Sequence, residues 1–393
     1  MSEDSYPDPP TDVPAVDPAT LQSWLDAGEP VRLLDVRDRD ELDQWRIEGD
    51  SVTATHIPYA KFMAAKVRDT VADLGADVDG DGPMTVVCGR GEASDFVAGL
   101  LTEAGFDARN LAGGMDAWGQ LYQATELSTD GATVVQYRRP SSGCLAYMVV
   151  DGDEAVVVDP LAAFTDRYVA DAEERGAEVV AVVDTHVHAD HVSGLRALSE
   201  ATGARRVLPE AAVERGVTFD AETIADGDEI PVGGTAIQVR ALPGHTTGMA
   251  GLVVGGVLLS GDSLFLDSVA RPDLQDGTDI ESLARDLYAS LTERLADLPD
   301  GTVLAPGHYD DGDERAGDGS YTALLGDVRE RVGVFGMDEQ RFVDRVTGEL
   351  PPQPANAERI VPINLGQETV EDDEALELEL GPNNCAAGPV EAD

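Results

Sequence analysis

The sequence predicts an α/β chain built in two unlike parts. One is a parallel sheet flanked by helices over residues 16–123; the other is a β-sandwich with helices on its outside over 134–332. Two observations predict the architecture. The first part alternates short buried strands with helical runs, which requires crossovers and therefore parallel pairing. The second part holds many apolar strand runs interrupted by few helices. A third observation places a site on that sandwich: five of the six histidines fall there in one ordered series, each group just after a strand run.

Taken in order, residues 1–15 are acidic and proline-rich and predict a disordered leader, the opposite of a basic, then apolar, secretory signal. Val31–Val36 predicts a buried strand, Glu41–Glu48 a helix, Met84–Val87 a strand, and Ala93–Ala104 a helix ended by Gly105. The polar, glycine-containing stretch 124–133 predicts a linker. Beyond it, strand runs occur at Leu145–Val150, Ala155–Val158, Val179–Val183, Ala236–Ala241, Gly251–Leu259 and Thr302–Ala305. Helical runs occur at Arg167–Arg175, Val192–Thr202 and Ile280–Ala296. Residues 333–393 combine Pro351-Pro352, a strand-like Arg359–Ile363 and an acidic stretch, and predict an ordered arm followed by a loose surface tail through Gly381–Cys385.

Composition excludes several classes of function. A formal charge of -49 and a pI near 4.1 make nucleic acid and anionic membrane poor partners. The 42% hydrophobic content, falling in regular runs, excludes a disordered acidic chain. Only two of the 27 basic residues are lysines, Lys61 and Lys66, and the acidic residues are dispersed. That pattern reads as a surface adapted to molar salt, where the Debye length is about 3 Å. The apolar run Met249–Leu259 is too short to span a bilayer. The three cysteines, Cys88, Cys144 and Cys385, form no CxxC pair, which fits a reducing cytoplasm better than a disulfide framework or a thiolate zinc site. Oligomeric state is not legible.

The histidine series reads His186-Val187-His188-Ala189-Asp190-His191, then Gly244-His245, Gly261-Asp262 and Gly307-His308. Imidazole and carboxylate hold zinc or iron at neutral pH. Each segment follows a strand run, and strand ends of one sandwich can converge on one point. Cys144, at the start of a strand, can line the same site, although a small buried residue is the simpler reading. A second site lies in the first part. Cys88 follows strand Met84–Val87 and precedes a helix through Gly89-Arg90-Gly91-Glu92-Ala93-Ser94. Backbone amides and a helix N-terminus around such a sulfur favour a thiolate, a persulfide or a bound oxyanion.

Residues 17–123 resemble the rhodanese family. The resemblance rests on Leu34-Asp35-Val36-Arg37, His56-Ile57-Pro58, the Cys88 loop and Leu111-Ala112-Gly113-Gly114-Met115-Asp116-Ala117-Trp118, in family order. It implies that Cys88 accepts sulfane sulfur and passes it on. The loop has the sulfurtransferase length, but Ala93 stands where many rhodaneses have arginine and Glu92 adds negative charge; Arg90 supplies a cation. Residues 132–330 resemble the metallo-β-lactamase superfamily, with Val158-Asp159-Pro160 also in place. That superfamily hosts several reactions. A binuclear arrangement would use His186, His188 and His245 for one metal and Asp190, His191 and His308 for the other, with Asp262 bridging, as in two-zinc thioester hydrolases of the glyoxalase II type.

The segment Arg271-Pro272-Asp273-Leu274-Gln275-Asp276-Gly277 resembles the persulfide dioxygenase branch instead. That resemblance implies one Fe(II) per chain on His186, His245 and Asp262, with His188, Asp190, His191 and His308 orienting the site. Arg271 would contact the substrate carboxylate or fix the pocket. The implied substrates are a low-molecular-weight thiol persulfide (glutathione persulfide or an analogue) and O₂, and the implied product is sulfite, itself an acceptor for sulfur carried on Cys88. A third reading, a sulfur-carrying adaptor with a structural zinc, sits poorly with seven candidate ligands.

Overall fold

A computed structural model of the chain describes residues 6–127, 129, 131–275, 277–310, 312–348, 350–379 and 385–387, in two units, Met1–Leu121 and Tyr122–Asp393. Residues 1–5 of the expected leader, two positions of the expected linker (Ser128 and Asp130), Asp276 and Gly381–Asn384 lie outside the described residues.

The first unit runs β1 (Ala15–Val16), α1 (Pro18–Asp26), β2 (Val31–Asp35), α2 (Arg39–Gln44), β3 (Val52–His56), α3 (Tyr59–Arg68), α4 (Val71–Ala76), β4 (Met84–Val87), α5 (Glu92–Glu103), β5 (Ala108–Leu111) and α6 (Gly114–Gly119). Its strands form one sheet in the order β1-β5-β4-β2-β3, with every pairing parallel. The local chemistry explains the helix starts. Asp17 caps α1 by accepting from Thr20 N–H at 2.9 Å, with Pro18 preset for the first turn. Asp38 and Glu41 form a capping box on α2. Central β4 is buried on both faces, as a parallel strand covered by helices must be. Residues 6–15 were expected to be loose; instead Tyr6 packs edge-on against Tyr59 at 5.3 Å, and Ala15 and Val16 add a strand beside β5.

The second unit runs β6 (Gln123–Leu127), β7 (Thr133–Arg139), β8 (Cys144–Asp151), β9 (Glu154–Val158), α7 (Thr165–Glu174), β10 (Glu178–Val183), α8 (Leu195–Thr202), β11 (Arg205–Pro209), α9 (Glu210–Val213), β12 (Glu222–Ile224), β13 (Glu229–Val232), β14 (Thr235–Ala241), β15 (Ala250–Val254), β16 (Val257–Gly261), α10 (Ile280–Ala289), β17 (Val303–Pro306), β18 (Ala323–Leu324), α11 (Leu325–Arg331), α12 (Glu339–Val346), α13 (Ala357–Asn364) and α14 (Asp372–Leu378). Two mixed sheets result, β12-β11-β10-β9-β8-β7-β6 and β13-β14-β15-β16-β17-β18. Their inner faces share one apolar core, in which Val134, Val158, Val183, Ile237, Leu252, Leu259 and Leu304 are all buried. This is sheet-on-sheet packing with helices outside.

Four local expectations are corrected. The first part of the stretch 124–133 is strand, because Gln123–Leu127 pairs antiparallel with β7 as an edge strand. Gly251–Leu259 is a hairpin rather than one strand: Gly255 and Gly256 take φ of 55° and 83°, the two left-handed positions a tight hairpin turn requires. The helical run expected from Val192 begins later, with α8 at Leu195, so Asp190 and His191 lie in a loop. Arg359–Ile363 lies within helix α13, because Ile360 and Ile363 recur at helical spacing and both are fully buried.

Candidate metal centre and thiol loop

From the end of β10 the chain passes through Thr185–His191 without regular secondary structure, so side chains must fix this loop. Asp159, at a positive φ of 50°, does so from the end of β9. Its carboxylate accepts from Thr185 N–H at 2.6 Å, from the Thr185 hydroxyl at 2.8 Å and from His188 Nε2–H at 3.1 Å. With its proton committed to Asp159, the Thr185 hydroxyl can only accept from His186 Nδ1, 3.0 Å away. The His186 lone pair is therefore on Nε2. The same logic sets His245, whose Nδ1–H donates to the Arg271 carbonyl at 2.9 Å.

Both free Nε2 atoms lie 3.7 Å from Asp262 Oδ2. The three donor atoms are all within 4.8 Å of one another and the residues are buried. His186 Nε2 and Asp262 Oδ2 have no hydrogen-bond partner, a costly arrangement inside a protein unless a cation joins them. Burial holds His186 well below the ordinary histidine value, helped by the charge of His188, and burial lowers His245 as well. Both rings are thus neutral and able to act as ligands.

Across Asp262 the arrangement is different. His308 donates Nδ1–H to Asp262 Oδ1 at 2.8 Å and Nε2–H to Asp190 Oδ2 at 3.1 Å. Burial alone would lower its proton affinity, but the flanking Asp262 and Asp190 carboxylates outweigh burial and raise it. His191 Nδ1 lies 3.0 Å from the same Asp190 oxygen, and Cys144 Sγ 3.4 Å from it. Cys144, Asp190, His191 and His308 form a second group whose donor atoms lie within 4.8 Å. Cys385, read as part of a surface tail, is 2% exposed and joins Asp262 and His308 in a third such group. A water-sized cavity of about 20 Å³ opens here between Phe265, His308, Tyr309 and Cys385.

In the first unit, Cys88 Sγ accepts from Gly91 N–H at 3.1 Å and lies 3.1 Å from the Ser94 hydroxyl, which is also 2.7 Å from Asn110 Oδ1. The N-terminus of α6 grips the loop from outside, with Met115 N–H donating to the Cys88 carbonyl and Asp116 N–H to that of Gly89. Gly114 has φ of 58°, and a Cβ there would stand 2.3 Å from the Cys88 carbonyl oxygen. Arg90 is exposed on the loop.

Comparison with known proteins matches residues 140–308 to the metallo-β-lactamase superfamily and residues 17–121 to the rhodanese-like domain. The mitochondrial persulfide dioxygenase ETHE1 of Mus musculus is 32% identical over 194 residues, 47% of this chain and 72% of that protein. The hydroxyacylglutathione hydrolase of Rhodobacter capsulatus is 34% identical over 245 residues, 60% of this chain and 85% of that protein. The crystal structure of ETHE1 from Myxococcus xanthus matches with a TM-score of 0.53 and 30% identity, covering 59% of this chain and 97% of that one. The chain belongs to the metallo-β-lactamase superfamily, behind an N-terminal rhodanese-like domain.

Within the metallo-β-lactamase domain, the structure brings all seven sequence-predicted positions, His186, His188, Asp190, His191, His245, Asp262 and His308, into one buried network. Arg271 turns elsewhere. Its guanidinium is 1% exposed, pairs with Asp273 at 2.6 Å and donates to the carbonyls of Pro351 and Pro352, so it builds the pocket wall and presents its carbonyl to His245. In the rhodanese-like domain, Asp35 and Arg37 of the strand motif form a buried ion pair at 2.7 Å. His56, the histidine outside the series, meets the Arg37 carbonyl at 2.9 Å. Sequence reasoning missed Asn364, which reaches the carbonyls of His188 and His191 from α13. No local signal marks it. Among the described residues no helix is long and apolar enough to cross a membrane.

Proposed function

We propose that the chain is a persulfide dioxygenase with an attached sulfurtransferase. The overall reaction is R–S–SH + O₂ + H₂O → R–SH + SO₃²⁻ + 2 H⁺, in which the outer sulfur is oxidised and the thiol is released. The observation that carries this reading is the paired geometry of Asp262. One oxygen faces His186 and His245 without a hydrogen-bond partner, while the other is held by His308. Two histidines and one carboxylate make the set that holds ferrous iron while leaving positions open. When bound, ferrous iron supplies the redox centre at which O₂ and a persulfide sulfur meet.

The chain's own groups prepare that chemistry. Thr185 and Asp159 keep the His186 lone pair on Nε2, and the Arg271 carbonyl does the same for His245. His308 holds Asp262 in one rotation. The Asp190, His191, His308 and Asp262 side chains form a polar, proton-rich wall, with the Phe265 ring 6.2 Å from that of His308. Sulfite leaving this unit is an acceptor for sulfane sulfur: Cys88–S–S⁻ + SO₃²⁻ → Cys88–S⁻ + S₂O₃²⁻. The Gly91 amide and Ser94 hydroxyl stabilise the leaving Cys88 thiolate in that step.

A binuclear thioester hydrolase is the second reading. It is favoured by the group formed by Cys144, Asp190, His191 and His308 and by the resemblance to hydroxyacylglutathione hydrolases. It gives Cys88 no task. Metal analysis and oxygen uptake separate the two. Anaerobically purified, iron-loaded protein given a thiol persulfide in molar salt consumes O₂ and holds close to one iron per chain. His186→Ala, His245→Ala and Asp262→Ala each lose the iron, and His308→Ala keeps most of it. Two tightly bound zinc ions, one requiring His308, would refute the mononuclear reading.

A further inference from the structure

Besides Asp159, the metal-binding loop is held by residues that lie 170 or more positions further along the chain. Asn364, the last residue of α13, spends its whole amide on that loop. Its two Nδ2 hydrogens go to the carbonyls of His188 at 3.0 Å and His191 at 2.8 Å, and its Oδ1 accepts from Ser193 N–H at 2.9 Å. Beyond α14, Glu379 accepts from Val192 N–H at 2.8 Å with one oxygen and pairs with the buried Arg139 through the other. Apolar contacts repeat the pattern. Val192 buries against Ile360, Ile363, Ala375 and Leu378, and Val187, between the two histidines, buries with Ala212 and Leu365.

A loop without regular structure has to satisfy its buried backbone groups somewhere, and here the arm supplies the partners. We infer that the C-terminal arm is a template for the metal loop, with Asn364 as a positioning residue that sets how tightly and in what geometry His186, His188 and His191 present their nitrogens. A planar amide bridging two carbonyls and one N–H fixes the separation of His188 and His191 along the backbone. Glu379 fixes the next residue and ties the loop to the end of β7 through Arg139. This rests on the reading of the loop as a metal centre and is independent of which reaction the metal serves.

The test uses the full chain, stripped of metal and titrated with Co²⁺ against a coloured competitor, with the visible ligand-field spectrum of bound Co²⁺ recorded. Apo melting is measured in parallel. Asn364→Ala lowers Co²⁺ affinity roughly 10–100-fold and alters the spectrum, the range seen when outer partners of metal ligands are removed. Asn364→Asp keeps the acceptor for Ser193 and loses both donors, so it shows a comparable loss even if Asn364→Ala folds poorly. Val343→Ala thins α12 of the same arm, where the side chain packs into the main core and not against the loop; it lowers melting and leaves affinity and spectrum unchanged. Affinity and spectrum unchanged in both Asn364 variants would overturn the inference. So would losses that merely track melting temperature across all three variants. If the unsubstituted chain bound no Co²⁺, the metal-centre reading itself would fall, and the inference with it.

Discussion

Gly307→Ala tests the metal centre with a single methyl group. Gly307 precedes His308 at the end of β17, and its backbone φ is one that alanine tolerates. A Cβ built there stands 2.4 Å from Asp262 Oδ1 and 3.1 Å from the Gly261 carbonyl carbon, whereas ordinary contact begins at 3.4 Å. The carboxylate must therefore retreat by about 1 Å (3.4 − 2.4), several times the roughly 0.2 Å tolerance of a metal–ligand distance. Moving Oδ1 also breaks its 2.8 Å hydrogen bond from His308. The fold itself loses only what overpacking usually costs, about 1–3 kcal/mol. Metal affinity falls at least 100-fold by order of magnitude, because a direct ligand moves and not merely its outer partner. Metal content after gel filtration, set beside apo melting, reads the two effects separately. A variant that keeps its metal while melting slightly lower would refute the assignment of Asp262 as a ligand.

Three further outcomes follow from the same geometry. Cys88→Ser abolishes sulfur transfer between persulfide and sulfite or cyanide while iron content and direct oxidation of a small persulfide persist; loss of all oxygen uptake would show instead that the two sites act in obligatory series. Gly114→Ala places a methyl 2.3 Å from the Cys88 carbonyl oxygen at a φ of 58°, so it distorts the thiol loop and lowers sulfur transfer more than tenfold, with metal content as the unaffected control. With 76 acidic against 27 basic residues, melting temperature and both activities rise together from dilute to molar salt, as the Debye length contracts from about 30 Å at 0.01 M to about 3 Å; a flat melting profile across that range would show that the charge excess needs no screening.

The parts of the fold legible in sequence are those whose signal is local. Buried strands such as Met84–Val87 and Val179–Val183 announce themselves as continuous apolar runs, and the ligands follow strand ends. Gln123–Leu127 was missed because an edge strand with a half-exposed face carries no such run. Arg359–Ile363 misled because its β-branched residues have strand propensity and an internal Pro362 argues against a helix; only the burial of Ile360 and Ile363 against Val192 selects the helix. The same reason hid Asn364, Glu379 and Cys385. Each contributes through partners far away in sequence, and nothing within a turn of any of them differs from an ordinary surface residue. For Arg271 the sequence left two roles open, substrate contact or fixing the pocket; Asp273, two positions on, holds its guanidinium while its carbonyl meets His245, an arrangement that suits the second.

The two sites solve opposite electrostatic problems with the same kind of device. At Cys88 a backbone amide, a hydroxyl and nearby helix N-termini surround sulfur, so the local dipoles favour an anion. At Asp262 one carboxylate oxygen lies in a buried shell where the neutral rings of His186 and His245 turn their lone pairs inward, so the dipoles favour a cation. In both places the side chain that does the chemistry is set by its neighbours: Ser94 and the α6 amides for Cys88, and Thr185, Asp159 and Asn364 for the histidines. An anion-holding thiol and a cation-holding histidine set in one chain have a common purpose when the substrate is sulfane sulfur, carried as an anion at the first and oxidised at the second. Thioester hydrolysis uses only the second. That asymmetry, rather than the shared superfamily fold, is what favours sulfur oxidation here.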